Sequence, residues 1–407
     1  MEVTREFINR MPKTDLHVHL DGSLRLSTIL ELAEEQGVTL PGGAKTEEKL
    51  AKAIHMGEIC TDLNDYLKAF GVTLSVMQTE EALYRVAYEL GEDMALENVR
   101  YTEIRYSPLL HTEKGLSFPV IVEAVAEGLR EAKRKYGLMS GQIICGIRHI
   151  TPETSLRMAE LCVAFKHRGV VGFDLAGGEM NNPAKDHREA FYLVRNNNVN
   201  LTIHAGEAYG PESIHQAIHI AGAHRIGHGT RLREDGDLLN YVNDRRIPLE
   251  ICVSSNVQTR ACDSFESHPL PFYLSYGLRL CLNTDNRLVT DTTMTEEFWR
   301  ATQYYNLGIG DLRKLTLGGF KSSFMPYRKK RTVTQMAIEE FDALVEEFQL
   351  DGKDKNVLQE INIYDKGTKS SQSSYEYKKS SSKKTTTKAK AKPKTKAKAK
   401  KSTRKKK

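Results

Sequence analysis

The chain has 407 residues, 40% of them hydrophobic, with 59 Lys+Arg against 53 Asp+Glu. That length and apolar share fit one large α/β domain or two ordinary ones and exclude a wholly disordered chain. The formal net charge of +6 conceals a division: residues 366–407 hold 18 Lys+Arg and one acid, Glu376, which leaves a net −11 for residues 1–365. An acidic globular body, 1–365, and a basic tail, 366–407, are therefore expected.

Six cysteines (Cys60, Cys145, Cys162, Cys252, Cys262 and Cys281) form no C-x-x-C pair. Several lie in apolar runs, as buried thiols in a reducing compartment do. Met1 to Thr14 is polar, and no apolar run is long enough to cross a bilayer. A cytoplasmic protein without a membrane partner is the expectation.

The first element is a short strand containing His17-Val18-His19. Side chains alternate faces along a strand, so the two histidines point the same way. Ser27 is then expected to cap a helix that stops at Gly37, with an irregular insertion over 41–58. Thr61 opens another helix ending at Gly71. A third begins near Thr79, and its Leu83, Val86, Ala87, Leu90 and Met94 follow the helical period.

Strands and helices then alternate. Strands are expected at 99–106, 142–150, 170–176, 200–204, 225–228, 248–253 and 279–284. Helices are expected at 117–136, from 151 to before Gly169, near 186–195, and at 211–221, 235–243 and 269–276. The run Val-Val-Gly-Phe-Asp-Leu-Ala (170–176) is of the kind buried on both faces of a parallel sheet. Such an order implies a closed (β/α)8 barrel or an open doubly wound sheet, and eight units over roughly 290 residues fit the barrel. Helical sequence near 295–319 and 334–348 would pack outside or beneath it. Beyond Lys366 there is little but Ser, Thr, Lys and Ala. Such a tail is expected to be disordered.

The chemistry gathers at expected strand ends. The fifth strand ends in His204-Ala205-Gly206-Glu207, the sixth in Gly227-His228-Gly229, and the eighth in Asn283-Thr284-Asp285-Asn286. A barrel places its catalytic face there. A strand-end His, a strand-end Asp and the H-x-H pair compose a Zn²⁺ site of three imidazoles and one carboxylate, with a position left for water. Such a metal lowers the pKa of its water toward neutrality.

The segments T-D-L-H-V-H-L-D-G-S, D-L-A-G, H-A-G-E, R-I-G-H-G, S-S-N-V-Q-T and L-N-T-D-N occur in the order found in adenosine deaminases. From about Met11 to Phe348 the chain resembles that branch of the metal-dependent amidohydrolases. The resemblance implies that His17, His19, His204 and Asp285 bind one zinc ion. It implies that Asp285 orients the attacking oxygen, and that His228 helps deprotonate the water and offsets the developing charge. Glu207 would share a proton with the purine N1 as a general acid. Asp21 and His19 would face the ribose hydroxyls, and Gly177 would give its backbone N–H to N3. Ser254 and Ser255, at the end of the seventh strand, would support the ligands from behind. Asn286 stands where better-known members have Asp, and its amide can donate to N7 without being protonated. Arg260 stands where relatives often carry Gly, and a surface role is expected for it.

The implied reaction is hydrolytic deamination of adenosine, and of 2′-deoxyadenosine, to inosine products and ammonia in purine salvage. The alternatives are another 6-aminopurine substrate (adenine, an N6-methylated nucleotide or a methylthio-nucleoside) and an inactive barrel that binds polyanions. Asp21 argues against a 5′-phosphate, because like charges repel. The tail's Lys-Ala repeats suit nonspecific attraction to nucleic acid or remain a solvated extension. His55, His111, His167, His187, His215, His219, His224 and His268 are expected at the surface or at helix caps, and Trp299 in packing.

Overall fold

The structure, a computed structural model, describes residues 3–55 and 63–350. Cys60, Thr61 and the basic tail lie outside them. Eight parallel strands follow one another around a barrel in chain order: β1 (Lys13–His19), β2 (Val99–Tyr106), β3 (Met139–Ile147), β4 (Val170–Ala176), β5 (Asn200–Ala205), β6 (Arg225–His228), β7 (Leu249–Ile251) and β8 (Leu280–Leu282). This is the (β/α)8 architecture expected from the sequence.

The ends of the sheet meet just beyond β8. Val18 and Asp285 form a parallel bridge. The His19 N–H donates to the Asp285 carbonyl at 2.7 Å, and the Asp285 N–H donates to the His17 carbonyl at 2.8 Å. One layer lower, the Asn283 side chain accepts from the Leu16 N–H at 2.9 Å. A strand-end residue and a side chain thus do the work of a full ladder.

Helices cover the outside of the barrel. The expected helices from Thr79 and Ser117 are Glu80–Leu96 and Phe118–Tyr136. Thr79 accepts from the Ala82 N–H, a side-chain cap of the kind the sequence suggests. Their apolar faces pack into a core that also holds Phe173, Leu201, Ile226 and Leu249. Met294–Tyr305, Ile309–Ser322 and Tyr327–Glu347 add three helices after the last strand.

Several expectations need correction. Ser27 lies inside the helix Leu26–Gln36; Arg25 occupies the cap position and makes no side-chain cap bond. The segment 41–58 is not wholly irregular, because Thr46 caps a helix at Glu47–Ile54. Gly71 does not stop a helix but sits in Phe70–Val76. The last two strands are short, and Val253–Gln258 is helical, so Ser254 and Ser255 occupy a helical turn and not a strand end.

The barrel interior departs furthest from a chain of apolar strands. Arg105, Glu103, Asp174, Arg225 and Glu250 are all buried inside it. Arg105 bridges Asp174 (3.0 Å) and Glu250 (2.9 Å). Arg225 bridges Glu250 (2.5 Å) and Glu103 (2.6 Å). Buried charges persist only when paired and hydrogen-bonded, and each of these is.

Candidate active site

His17 and His19 reach one point from the end of β1, and His204 reaches it from β5. The Nε2 atoms of His17 and His204 are 3.0 Å apart, and those of His19 and His204 are 3.1 Å apart. Asp285 Oδ1 lies 3.5 Å from His17 Nε2 and 3.4 Å from His19 Nε2. Ligand atoms of His17, His204, His228 and Asp285 all fall within 4.8 Å of one another. All the expected ligands therefore converge, with His228 beside them. Gly227 makes room: a Cβ there would stand 2.9 Å from the His17 ring.

Carboxylates behind the imidazoles fix their tautomers. His17 Nδ1 donates to Glu250 at 2.9 Å, and His204 Nδ1 donates to Asp174 at 2.9 Å. In the neutral rings, the form that binds a metal, their Nε2 atoms carry lone pairs. Two lone pairs 3.0 Å apart repel unless something positive lies between them. The barrel's charge agrees: two arginines, Arg105 and Arg225, face three carboxylates before Asp285 is counted. The residues present therefore fit a divalent cation held by nitrogen and oxygen donors.

Asp285 is set from below. Ser255 donates to its Oδ2 at 2.6 Å, the support role expected of Ser255. Ser254 instead accepts from Arg300 at 2.8 Å. Asp285 is buried, with its Oδ1 turned toward His17 and His19. Asp285 (φ 60) and His228 (φ 63) both take left-handed backbone at strand ends. Non-glycine residues held there store strain, which clusters at functional sites.

A chain of hydrogen bonds fixes His228. The Leu270 N–H donates to His268 Nδ1 at 3.1 Å, so His268 carries its proton on Nε2 and donates it to Asn256 Oδ1 at 3.2 Å. That orients the Asn256 amide, whose nitrogen lies 2.9 Å from His228 Nδ1. His228 Nδ1 is then the acceptor and Nε2 bears the proton. This Nε2 is buried without a hydrogen-bond partner, and Glu207 Oε2 lies 3.5 Å away. Burial holds His228 well below its ordinary pKa, and thus neutral.

Glu207 lies just beyond β5 and is buried. Thr259 donates to its Oε1 at 3.0 Å. Burial, then the charges of Asp285 and Glu179, push its carboxyl up to about 8. The Glu207 loop hangs on Glu179, whose carboxylate accepts the N–H groups of Gly206 (2.8 Å), Glu207 (3.1 Å), Ala208 (2.6 Å) and Tyr209 (3.0 Å). Nothing in the sequence marked Glu179 except its position just after D-L-A-G.

Asp21 and Asn286 are buried, and among the described residues the Oδ1 of each lacks a partner; in Asn286 that atom is an acceptor, while the contact expected with N7 uses the amide nitrogen. Gly177 (φ 91) ends β4, and a Cβ there would stand 2.8 Å from His149. That ring is itself held where its Nδ1 accepts from the Gly178 N–H at 3.2 Å. Tyr66 was not foreseen: it is buried, bonds Thr290 at 2.6 Å, and lies close enough to Asp285 that the carboxylate helps raise its pKa.

Three histidines expected at the surface or at caps are buried: His111, His187 and His268. One ring nitrogen of each of two is bonded to backbone: His111 Nδ1 to the Met77 carbonyl (3.1 Å) and His187 Nε2 to the Arg148 carbonyl (3.2 Å). His268 caps the helix Leu270–Tyr276 and at the same time stands behind Asn256. The five described cysteines are buried and free, as expected.

Comparison with known proteins agrees with this geometry. The family model described as adenosine deaminase matches residues 12–340. The "probable adenosine deaminase" of Dictyostelium discoideum is 39% identical over 363 residues, covering 89% of this chain and 46% of that protein; this chain spans about half its length. The adenosine deaminase of Mycobacterium avium is 41% identical over 354 residues, covering 82% of this chain and 96% of that one. Among solved structures, the adenine deaminase of Arthrobacter aurescens superposes with TM-score 0.76 at 26% identity, covering 83% of this chain and 99% of that one. The N6-methyl-AMP deaminase of Arabidopsis thaliana does so with TM-score 0.72 at 28% identity, covering 84% and 100%.

Proposed function

The chain belongs to the adenosine deaminase family, and from that premise we propose that it hydrolyses adenosine, and 2′-deoxyadenosine, to the inosine product and ammonia in purine salvage. The observation that carries the reading is the placing of the His17 and His19 Nε2 atoms 3.0 and 3.1 Å from that of His204, with Asp285 against them and His228 and Glu207 beside them. His17, His19, His204 and Asp285 would hold one zinc ion per chain, which when bound would supply Lewis acidity and lower the pKa of water toward neutrality.

The protein's own groups perform the rest. Glu207, protonated at neutral pH, gives its proton to the purine N1, which draws electrons from C6. Water adds at C6 and gives one proton to Asp285, while His228 offers its Nε2–H to the oxygen that becomes charged; the proton on Asp285 passes to the amino nitrogen, and the remaining hydroxyl proton returns to Glu207 as the C6 carbonyl forms. Of the two roles the resemblance gives His228, this hydrogen-bond order favours offsetting charge, because a proton already sits on the nitrogen facing the site. The C6–N bond then breaks and ammonia leaves. Asp21 and His19 hold the ribose hydroxyls, the Gly177 N–H meets N3, and the Asn286 amide donates to N7.

A second reading keeps the chemistry and changes the purine. The solved relatives named for adenine and for N6-methyl-AMP favour weighing it. Ammonia release from adenosine, 2′-deoxyadenosine, adenine, AMP, N6-methyl-AMP and methylthioadenosine separates the two. Adenosine is expected to give the highest kcat/KM. Faster turnover of adenine or N6-methyl-AMP would replace the reading. No turnover of any of them by zinc-loaded protein that binds DNA tightly would favour the inactive polyanion binder.

No helix among the described residues is long and apolar enough to cross a membrane. We place the enzyme in the cytoplasm, with residues 1–365 as the deaminase domain and 366–407 as a separate basic tail. The tail's 18 Lys+Arg suit nonspecific contact with nucleic acid. Deleting 366–407 is expected to lower retention on heparin at low salt, and unchanged retention would remove that role.

A further inference from the structure

The opposite end of the barrel carries a second cavity, of about 710 Å³, lined at the starts of the strands. Six of its cations are Lys166, Arg245, Arg246, Arg279, Lys321 and Lys330, and no Asp or Glu among the described residues lines it. The body around it is acidic, net −11 over residues 1–365. Elsewhere on this surface arginines have acidic partners: Arg10 with Glu347, Arg100 with Glu340, Arg134 with Glu131, Arg313 with Asp342.

Around this cavity Arg225 alone of the lining cations discussed is paired with carboxylates, Glu103 and Glu250, from inside the barrel; three of the others have neutral partners. Lys166 donates to the Asn197 carbonyl at 2.7 Å, Arg246 to the Gly277 carbonyl at 2.7 Å, and Lys330 to the Lys321 carbonyl at 3.5 Å. Carbonyls fix these groups in place without cancelling their charge. The crowding registers in the groups themselves: burial, then the neighbouring Arg246, lowers the pKa of Arg279. Like charges gathered in a walled cleft focus a positive potential and raise the local concentration of anions.

We propose that this floor cavity binds a compact anion carrying several phosphate groups, either free polyphosphate or the phosphate chain of a nucleotide. Its volume suits a nucleotide-sized ligand, and guanidinium pairs such as Arg246 with Arg279 match the geometry of phosphate oxygens. The site is separate from the deaminase centre: within β6, Arg225 lines the cavity and His228 faces the other end of the barrel. Its existence does not depend on which purine is the substrate.

Phenylglyoxal footprinting of the full-length chain, read by peptide mass, tests this without interference from the lysine tail. Inorganic triphosphate is expected to slow modification of Arg246 and Arg279 at least fivefold, leaving exposed Arg157 unchanged. ATP as effective as triphosphate identifies the phosphate chain as the recognised group, and protection by ATP alone narrows the ligand to nucleotides. Calorimetry on an Arg246→Gln/Arg279→Gln variant is expected to show a Kd for the protecting ligand weakened at least tenfold, with deamination unchanged. Equal protection by sodium sulfate at matched ionic strength, protection by neither probe, or an unaltered Kd in the variant overturns the proposal.

Discussion

Asn256 and His228 stand in a fixed donor–acceptor relationship: the amide nitrogen of one lies 2.9 Å from Nδ1 of the other, and His268 dictates which way the amide faces. This assigns the His228 proton to Nε2. Replacing Asn256 by Asp reverses the polarity, because a carboxylate demands a proton on Nδ1 and leaves Nε2 as a lone pair unless the ring becomes charged. In Asn256→Asp, kcat is expected to fall by about 10²–10⁴, as when a catalytic histidine is held in the wrong tautomer, with bound metal unchanged. Wild-type kcat in that variant would remove the assigned tautomer.

Glu250 ties His17 to the buried charges, accepting from His17, Arg105, Arg225 and Thr202. Glu250→Gln leaves two buried arginines short of a carboxylate. A loss of about 3–5 kcal/mol in stability is expected, the usual result of breaking a buried pair. Metal affinity is expected to drop about 10–100-fold through the loosened imidazole. Chemical denaturation and metal titration measure the two effects; a variant as stable and as metal-replete as the parent would contradict the network.

Glu179 tests the loop that presents Glu207. Removing its carboxylate in Glu179→Ala frees four backbone N–H groups. A shift of about 1 Å in a reacting group is worth about 100-fold in rate, so kcat is expected to fall that far with metal content preserved. A change in KM alone would mean that the loop serves binding and not proton delivery.

His111 gives stability a pH dependence. Burial pushes it down to about 4, so it is neutral in the folded chain where an unfolded histidine would be protonated. Its contribution is fully present above about pH 6.5 and is lost as pH falls from there toward 4, because the unfolded chain binds the extra proton. The limiting slope is about 1.4 kcal/mol per pH unit. His268, pushed down to about 3, acts in the same direction. Melting curves between pH 7 and 5 should show Tm falling less steeply in His111→Leu than in the parent; parallel slopes would rule His111 out as the source.

The motifs that meet in the candidate site were legible because each sits at a strand end with a short, distinctive spacing: H-x-H in β1, H-A-G-E after β5, T-D-N after β8. The order of strands was legible because apolar runs such as 170–176 alternate with helical periods. The groups behind the ligands were not. Glu250, Asp174 and Arg105 come from three strands far apart in sequence, and in a strand such as Val-Arg-Tyr-Thr-Glu-Ile-Arg-Tyr a buried charge looks the same as a solvated one. His268 shows the same limit: its ring caps a local helix, as its sequence suggests, while its other nitrogen reaches Asn256 from a distance in sequence that no local pattern marks. Tyr66 comes from an insertion whose local pattern says nothing about where it folds back.

The seam where the sheet closes on itself runs through Asp285. The same residue latches the first strand to the last with its backbone and turns its side chain toward His19 in the candidate site. A hoop fastened at its working point cannot be retuned at one without disturbing the other, so every substitution there is judged twice, once as a hinge pin and once as a tool.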